Sequence, residues 1–190
     1  MKPVLDTNHE LASPSPLPSR WDPEITTPEM TIEQIREIVE AFAKTAKLCK
    51  EAGVDGVEIH AAHAHGLLGG FLSPLYNKRC DEYGGDIDGR LKLTLEVIEE
   101  VRRVCGDDFI IGVRISGDEY SDGGLNINDM TYVAKELERV GVDMLHVSGG
   151  NTVKKGSSMP APGSKQGSHT HLSEYIKRQV NIPVATVGRI

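Results

Sequence analysis

The order of apolar segments along the chain is the feature that most restricts its fold. Short apolar runs typical of buried strands alternate with longer stretches of helical periodicity, and the series starts with a helix. The predicted strands are residues 54–59, 109–116, 142–147 and 182–187, and the predicted helices are 32–52, 87–105, 127–140 and 172–179. Such alternation indicates an α/β fold in which helices cover a parallel sheet.

Residues that favour helix ends mark the limits of these helices. Thr31 and Gln34 form a capping-box pattern, and Asp86 and Asn126 are N-cap residues in front of two further helical patterns. Gly53 follows the first helical pattern, where glycine accepts the left-handed conformation that ends many helices. Local signals therefore predict the limits of three helices.

Two α/β architectures fit this pattern, a doubly wound open sheet and a (β/α)8 barrel. No Gly-x-Gly-x-x-Gly follows the first predicted strand, which disfavours the dinucleotide-binding form of the open sheet. A barrel has eight strands in about 250 residues, whereas this chain of 190 residues carries four predicted strands. If the chain is barrel material, it represents about half of a barrel.

The sequence divides into two predicted parts. Residues 1–29 are rich in proline and serine, which predicts an arm or linker without regular secondary structure. Residues 30–190 form the predicted α/β domain.

Charge and composition exclude several classes of partner. The net charge of −7 disfavours nonspecific binding to nucleic acid or to anionic membranes. No apolar run approaches the ~18 residues of a membrane span. The N-terminus has no apolar signal core, so a cytoplasmic location is expected. The three cysteines are far apart, which leaves neither a disulfide framework nor a Cys-x-x-Cys metal site within this chain.

Three histidines follow the first predicted strand, where the chemistry of βα-repeat proteins is located. They are His60, His63 and His65, and they open a long loop that reaches Gly85. On a helical turn, residues three apart lie on one side, so two imidazoles could donate to one oxygen and stabilise an enolate. A zinc site that includes the nearby Glu58 is a second interpretation. Ordinary loop or core histidines are the third.

Other candidate residues lie within or directly after the later strands. Arg114 interrupts an apolar strand and requires an anionic or carbonyl partner, which is either a ligand or a structural ion pair. Glycine-rich strand exits can bind phosphate through backbone amides or can simply form turns. These exits contain Ser148, Gly149 and Gly150, and Gly188 with Arg189. For the polar stretch 77–85, a hydrogen-bonded loop scaffold is the favoured interpretation.

Several of these segments together resemble one family. They are GVDGVEIHAAH at 53–63, FLSP at 71–74, NKR at 77–79, DEYGG at 81–85, GVRIS at 112–116, HVSGG at 146–150 and VGRI at 187–190. In this order they resemble the Old Yellow Enzyme family of NADH:flavin oxidoreductases. The resemblance covers roughly residues 20–190, and its most specific part is the stretch 60–85.

The resemblance implies a TIM barrel that holds FMN at the C-terminal ends of its strands. Reducing equivalents from NADH or NADPH would pass through the flavin as hydride to the β-carbon of an activated alkene, a small-molecule substrate. His60 and His63 match the pair that holds the substrate carbonyl oxygen. Arg114 matches the arginine beside the pyrimidine edge of the flavin, and Gly188 and Arg189 match one of two phosphate-binding loops.

The chain departs from the family pattern in two respects. Many members carry a tyrosine as proton donor two residues after the second histidine, and this chain has His65, whose imidazolium could donate instead. In addition, the four predicted strands match only strands four to seven of the barrel.

A half-barrel would expose two strand edges and one apolar face of its sheet. We therefore expect a poorly stable chain, a homodimer, or a barrel completed by another chain. The alternative to an enzyme is a non-catalytic remnant or interaction module, and a metal-dependent barrel enzyme is a minor alternative.

Overall fold

The computed structural model describes residues 12–18, 22, 24–64, 66–152 and 157–190. The secondary structure elements in chain order are β1 (Leu17–Pro18), β2 (Thr26–Thr27), α1 (Ile32–Glu51), β3 (Gly56–His60), α2 (Leu67–Leu72), α3 (Ile87–Cys105), β4 (Ile110–Ser116), α4 (Ile127–Arg139), β5 (Met144–Ser148), α5 (Thr170–Lys177) and β6 (Val184–Thr186). The described helices include none that is both long and apolar enough to span a membrane.

A four-stranded parallel sheet forms the centre of the fold. Its strand order, β3-β4-β5-β6, follows the chain. Because parallel crossovers are right-handed, this sequential order places all the connecting helices on one face of the sheet. A doubly wound sheet would instead reverse its strand order at a switch point. The structure therefore confirms the predicted fold class, four parallel strands of a (β/α)8-type barrel.

The helix limits agree closely with the capping signals. The side chain of Thr31 accepts a hydrogen bond from the amide of Gln34, and the Gln34 side chain accepts one from the amide of Thr31. Asp86 caps α3 through the amide of Gly89. Asn126 caps α4 in a second capping box. Each cap satisfies amides that have no partner inside the helix, which is why local sequence sets these ends.

One helix and one two-stranded hairpin were not predicted. Helix α2 lies within the long loop after β3, and the strands β1 and β2 pair as a short antiparallel hairpin within the proposed arm. Helix α2 packs directly on the strand exit, since a Cβ added to Gly69 would lie 2.8 Å from the carbonyl oxygen of Ala62. The arm is not devoid of secondary structure, although its treatment as a separate segment remains a prediction.

The two faces of the sheet differ in chemistry. The helix-covered face is apolar and buried, with Ile59, Val113 and Leu145 at most 4% exposed. Alternate residues point to the other, open face. Ile110 and Met144 lie there beside four polar residues, Glu58, His60, Arg114 and His146. The expectation that the open face is apolar is therefore wrong, because the strand positions that point to this face carry charged and imidazole side chains.

Candidate functional site

A row of polar residues crosses the open face near the C-terminal ends of the strands. The strand register aligns His60 of β3 with Arg114 of β4 and His146 of β5. Glu58, two residues before His60, reaches across β4 so that its Oε2 lies 2.9 Å from Nδ1 of His146. The sheet thus places an arginine between two histidines.

Arg114 has an unsatisfied nitrogen within this row. Its Nε is buried and has no hydrogen-bond partner among the described residues. Within the same part of the chain, no carboxylate pairs with Arg114, and Glu58 on the neighbouring strand is bonded to His146. A buried guanidinium nitrogen without a partner is costly. The described structure therefore does not support the structural ion pair, and the ligand interpretation of Arg114 remains.

The predicted histidine pair comes together, although not on a helical turn. His60 ends β3 and is exposed, whereas His63 is 7% exposed. The backbone at His63 and Ala64 is left-handed, with φ of 65° and 55°. The prediction that the two histidines share a helical turn is therefore wrong. Even so, the ring centroids of His60 and His63 are only 5.8 Å apart. His65 lies outside the described residues.

His63 is held by β4 and by the exit of β5. Its amide donates to Ser116 Oγ at 2.9 Å, and its Nδ1 lies 3.1 Å from the carbonyl oxygen of Gly150 and 3.2 Å from Ser116 Oγ. Ser116 Oγ in turn donates to the Gly150 carbonyl at 2.8 Å. Sequence reasoning missed Ser116, although its position at the end of a strand next to Arg114 was a usable signal.

A small cavity connects His63 to a buried carboxyl group. The cavity has a volume of about 10 Å³, and its polar lining consists of His63, Ser116 and Glu119. This volume is roughly what one water molecule requires. Glu119 is 3% exposed, and its Oε2 accepts from Ser73 Oγ at 3.1 Å and from the amide of Leu125 at 2.9 Å. Burial raises the pKa of Glu119, against the opposing effect of these hydrogen bonds.

Replacing Glu119 with glutamine is expected to make the protein progressively more stable, relative to wild type, as the pH rises. A raised folded pKa means that protonated Glu119 contributes stability below the unfolded pKa of about 4.3, and that this contribution is lost as the pH rises through the folded pKa. A glutamine amide does not titrate, and its oxygen can still accept from Ser73 and Leu125. The variant should gain about 1.4 kcal/mol for each unit by which burial raises the pKa. Urea unfolding at several pH values measures this difference.

Glu37→Gln is the control for that experiment, since the Glu37 side chain is exposed on α1. The difference in unfolding free energy between Glu119→Gln and wild type should depend on pH, and the difference for Glu37→Gln should not. Parallel pH profiles for wild type and Glu119→Gln would show that Glu119 titrates alike in both states and would contradict the prediction.

The predicted phosphate-binding exits of β5 and β6 lie side by side. Ser148 ends β5 and is buried, and the amide of Gly150 already donates to the carbonyl oxygen of Asp118 at 2.7 Å. The exposed Arg189 follows β6 with φ of 55°, and its Nη1 donates to the carbonyl oxygen of Ala161 at 3.2 Å. Phosphate binding by these exits stays a prediction, and Gly150 offers no spare amide for it.

The glycines at these exits make room for His169, the residue before α5. A Cβ added to Gly149 would lie 2.6 Å from Nδ1 of His169, and one added to Gly188 would lie 2.7 Å from its Cδ2. Both ring nitrogens of His169 are buried and have no partner among the described residues. Burial, and then the neighbouring His171, lowers the pKa of His169. Close packing therefore gives these glycines a structural role that the sequence did not indicate.

The metal-site interpretation depends on clusters of suitable ligands. Over the described ranges, which omit His65, no three histidine, cysteine, aspartate or glutamate side chains are arranged to share a metal ion. Glu58, the acidic residue of the zinc interpretation, contacts one histidine, His146.

Comparison with known proteins shows which family and which relatives the chain as a whole matches. The profile of the NADH:flavin oxidoreductase / NADH oxidase family matches residues 6–190. NADH oxidase of Thermoanaerobacter brockii is 40% identical over 189 residues, which are 99% of this chain and 29% of that protein. Cinnamate reductase of Clostridium sporogenes is 35% identical over 192 residues, covering 94% of this chain and 29% of that protein.

A solved structure gives the same result at the level of the fold. Morphinone reductase in complex with tetrahydroNAD superimposes with a TM-score of 0.74 at 26% identity, covering 96% of this chain and 50% of that chain. The chain therefore spans half of that structure and 29% of each of the two curated relatives.

Proposed function

Because the chain belongs to the NADH:flavin oxidoreductase / NADH oxidase family, we propose that the whole protein is an ene-reductase-type enzyme that reduces an activated alkene. Membership of the family implies FMN as cofactor and NADH or NADPH as electron donor. Bound FMN supplies hydride transfer between the nicotinamide and the substrate. The observation that carries the proposal is the unsatisfied Nε of Arg114, which lies on the open face beside His60, whose ring centroid is 5.8 Å from that of His63.

The described residues fit one edge and one end of FMN. A buried guanidinium nitrogen without a partner suits the carbonyl-bearing edge of a flavin ring, because such a contact would satisfy it. The neighbouring exits of β5 and β6 suit the phosphate end, which Ser148, Gly149, Gly188 and Arg189 would hold through backbone amides and the Arg189 guanidinium. The Gly150 amide is already bonded to the carbonyl oxygen of Asp118. Arg114 would therefore contact the ring, and the exits would contact the phosphate.

The two histidines are suited to a substrate that bears a carbonyl oxygen. Their rings lie close enough for both to approach one oxygen, and donors aimed at a developing enolate oxygen are worth several kcal/mol in such sites. Cinnamate reductase, a relative at 35% identity, is named for a substrate whose alkene is conjugated to a carboxylate. This similarity supports an alkene next to a carbonyl group as the substrate class. His65 is the proposed proton donor.

Replacing Arg114 with methionine tests the proposal through cofactor binding. The protein is incubated with FMN and desalted, and retained flavin is measured from its absorbance. Wild type should retain flavin and oxidise NADH or NADPH. Loss of a hydrogen bond from a charged group costs about 1.5–3 kcal/mol, so Arg114→Met should bind FMN roughly ten- to a hundredfold more weakly.

Arg103→Met is the matched control, because Arg103 lies exposed on α3 and is paired with Glu100. It should bind FMN as wild type does. A wild-type protein that stays colourless and does not oxidise NADH or NADPH would contradict the enzyme proposal and favour a non-catalytic interaction module.

The proposal includes completion of the barrel by additional strands. Within the described residues, β3 and β6 each have one edge without a neighbouring strand. Such edges readily pair with additional strands. These strands would come from other residues of the same protein, from a second copy, or from another chain. Size-exclusion chromatography of the flavin-loaded sample would distinguish a dimer, in which a second copy supplies the strands, from the other two cases.

A further inference from the structure

Four hydrogen-bond distances define how His63 is oriented. Its amide donates to Ser116 Oγ at 2.9 Å, and Ser116 Oγ lies 2.8 Å from the Gly150 carbonyl oxygen. The Nδ1 of His63 lies 3.1 Å from that same carbonyl oxygen and 3.2 Å from Ser116 Oγ. All three residues are buried. The contacts therefore form a closed triangle around one ring nitrogen.

Counting protons in this triangle determines which nitrogen of the ring carries one. The Gly150 carbonyl can only accept, and Ser116 has a single hydroxyl proton. If Nδ1 carries a proton, it donates to the carbonyl, Ser116 also donates to the carbonyl, and every group is satisfied. If Nδ1 is bare, its lone pair faces the carbonyl lone pairs at 3.1 Å, and the hydroxyl has to leave the carbonyl to compensate. The first arrangement is favoured.

We propose that Ser116 is a positioning residue that, together with the Gly150 carbonyl, holds neutral His63 with its proton on Nδ1. The consequence for catalysis rests on the proposed function. In this tautomer Nε2 can donate to a substrate oxygen only after His63 has taken up a proton and become an imidazolium. His63 would then recognise an oxyanion such as an enolate with uptake of one proton, and its affinity for that oxyanion would fall as the pH rises.

The titratable neighbours of His63 modulate this protonation. In the part of the chain that the structure describes, they include His60 from β3, at a ring-centroid distance of 5.8 Å, and Glu119 from the loop after β4. Helix α2 lines the same cavity with Gly69 and Leu72, which carry no charge. A protonated His60 disfavours the imidazolium form of His63, and an ionised Glu119 favours it.

Nitrogen-15 NMR of the histidine-labelled protein tests the assignment directly. The nitrogen shifts of a neutral imidazole distinguish the protonated nitrogen from the bare one. The signals of His63 are identified by their absence from His63→Asn, a residue that tolerates the left-handed backbone there. We expect protonated Nδ1 and bare Nε2 at high pH. The opposite tautomer in wild type would overturn the proposal.

Variants of Ser116 test its part in the assignment. Ser116→Ala removes the acceptor for the His63 amide, so the ring should lose its fixed position against the Gly150 carbonyl and, once free of that contact, populate both tautomers. Ser116→Thr keeps the hydroxyl and should restore a single tautomer with protonated Nδ1. Ser173→Ala, which deletes another buried serine hydroxyl on α5, should leave the wild-type pattern unchanged. A single, unchanged tautomer in Ser116→Ala would overturn the positioning role.

These measurements are independent of catalysis. They require neither FMN nor NADH, so the tautomer can be established even if the protein fails to oxidise a nicotinamide. Conversely, activity with the opposite tautomer would retain the proposed function and reject this inference.

Discussion

Replacing Arg79 with methionine is expected to reduce the free energy of unfolding by about 2–5 kcal/mol. The Arg79 side chain is 2% exposed, and its guanidinium forms a paired contact with the carboxylate of Asp81. Its Nη1 also donates to the carbonyl oxygens of Pro14 at 3.0 Å and Met30 at 2.7 Å. Methionine fills similar space but leaves the carbonyl oxygens of Pro14 and Met30 and the partly exposed Asp81 carboxylate without this donor, and each buried group left unsatisfied costs about 1–3 kcal/mol. Urea unfolding followed by circular dichroism measures the loss.

The control for Arg79 is an arginine of the same chemistry in an exposed pair. Arg103 binds Glu100 on the surface of α3, and exposed pairs of this kind contribute about 0–1 kcal/mol. Arg103→Met should therefore change stability little. If Arg79→Met also cost less than about 1 kcal/mol, Arg79 would not connect the arm and the start of α1 to the loop 77–85. Faster proteolysis of the arm in Arg79→Met would be independent support for that connection.

The sequence predicted helix ends well because capping is local. Thr31 and Gln34 satisfy each other's backbone amides, and the Asp86 side chain accepts from the Gly89 amide. Both caps form within one turn, and no distant partner is needed. Strand limits depend on the neighbouring strand instead. Strand β5 was predicted to begin at Val142, but it begins at Met144, the residue paired with Gly112 of β4.

Helix α2 was missed because it is not stable on its own sequence. It has six residues, two of them glycines, which lower helix propensity. Tertiary packing selects it, and those glycines allow the close approach to the strand exit at Ala62 and Ala64. A pattern of this kind cannot be recognised from periodicity alone, because the stabilising contact lies outside the segment.

The residue types of the site were predictable, but their connections were not. His60 and His63 stood out as histidines clustered at a strand exit, and Arg114 stood out as an arginine inside an apolar strand. Ser116 at the end of its strand was overlooked, and Glu119 did not stand out because a glutamate in a polar loop is common. Their importance follows from contacts with His63 and with its cavity, which join residues on different βα units.

Replacing His63 with alanine in the flavin-loaded protein is expected to reduce kcat/KM for a carbonyl-activated alkene by about 10²–10³. The ring is fixed by Ser116 and Gly150 and lies beside His60, so its removal takes away one of two groups that can stabilise the enolate oxygen. Alanine is also strained at a φ of 65°, which would add a structural effect. Steady-state oxidation of NADH or NADPH measures the change in kcat/KM.

His63→Asn separates the chemical effect from the backbone effect. Asparagine accepts the left-handed conformation and its amide can donate, but it cannot become a cation. We expect wild-type stability, a smaller loss of kcat/KM than in His63→Ala, and a weaker dependence of kcat/KM on pH. His171→Ala, which removes an exposed histidine on α5, should leave kcat/KM unchanged. If His63→Ala stayed within about threefold of wild type, the enolate oxygen would have to be stabilised by other groups, with His60 the first to examine.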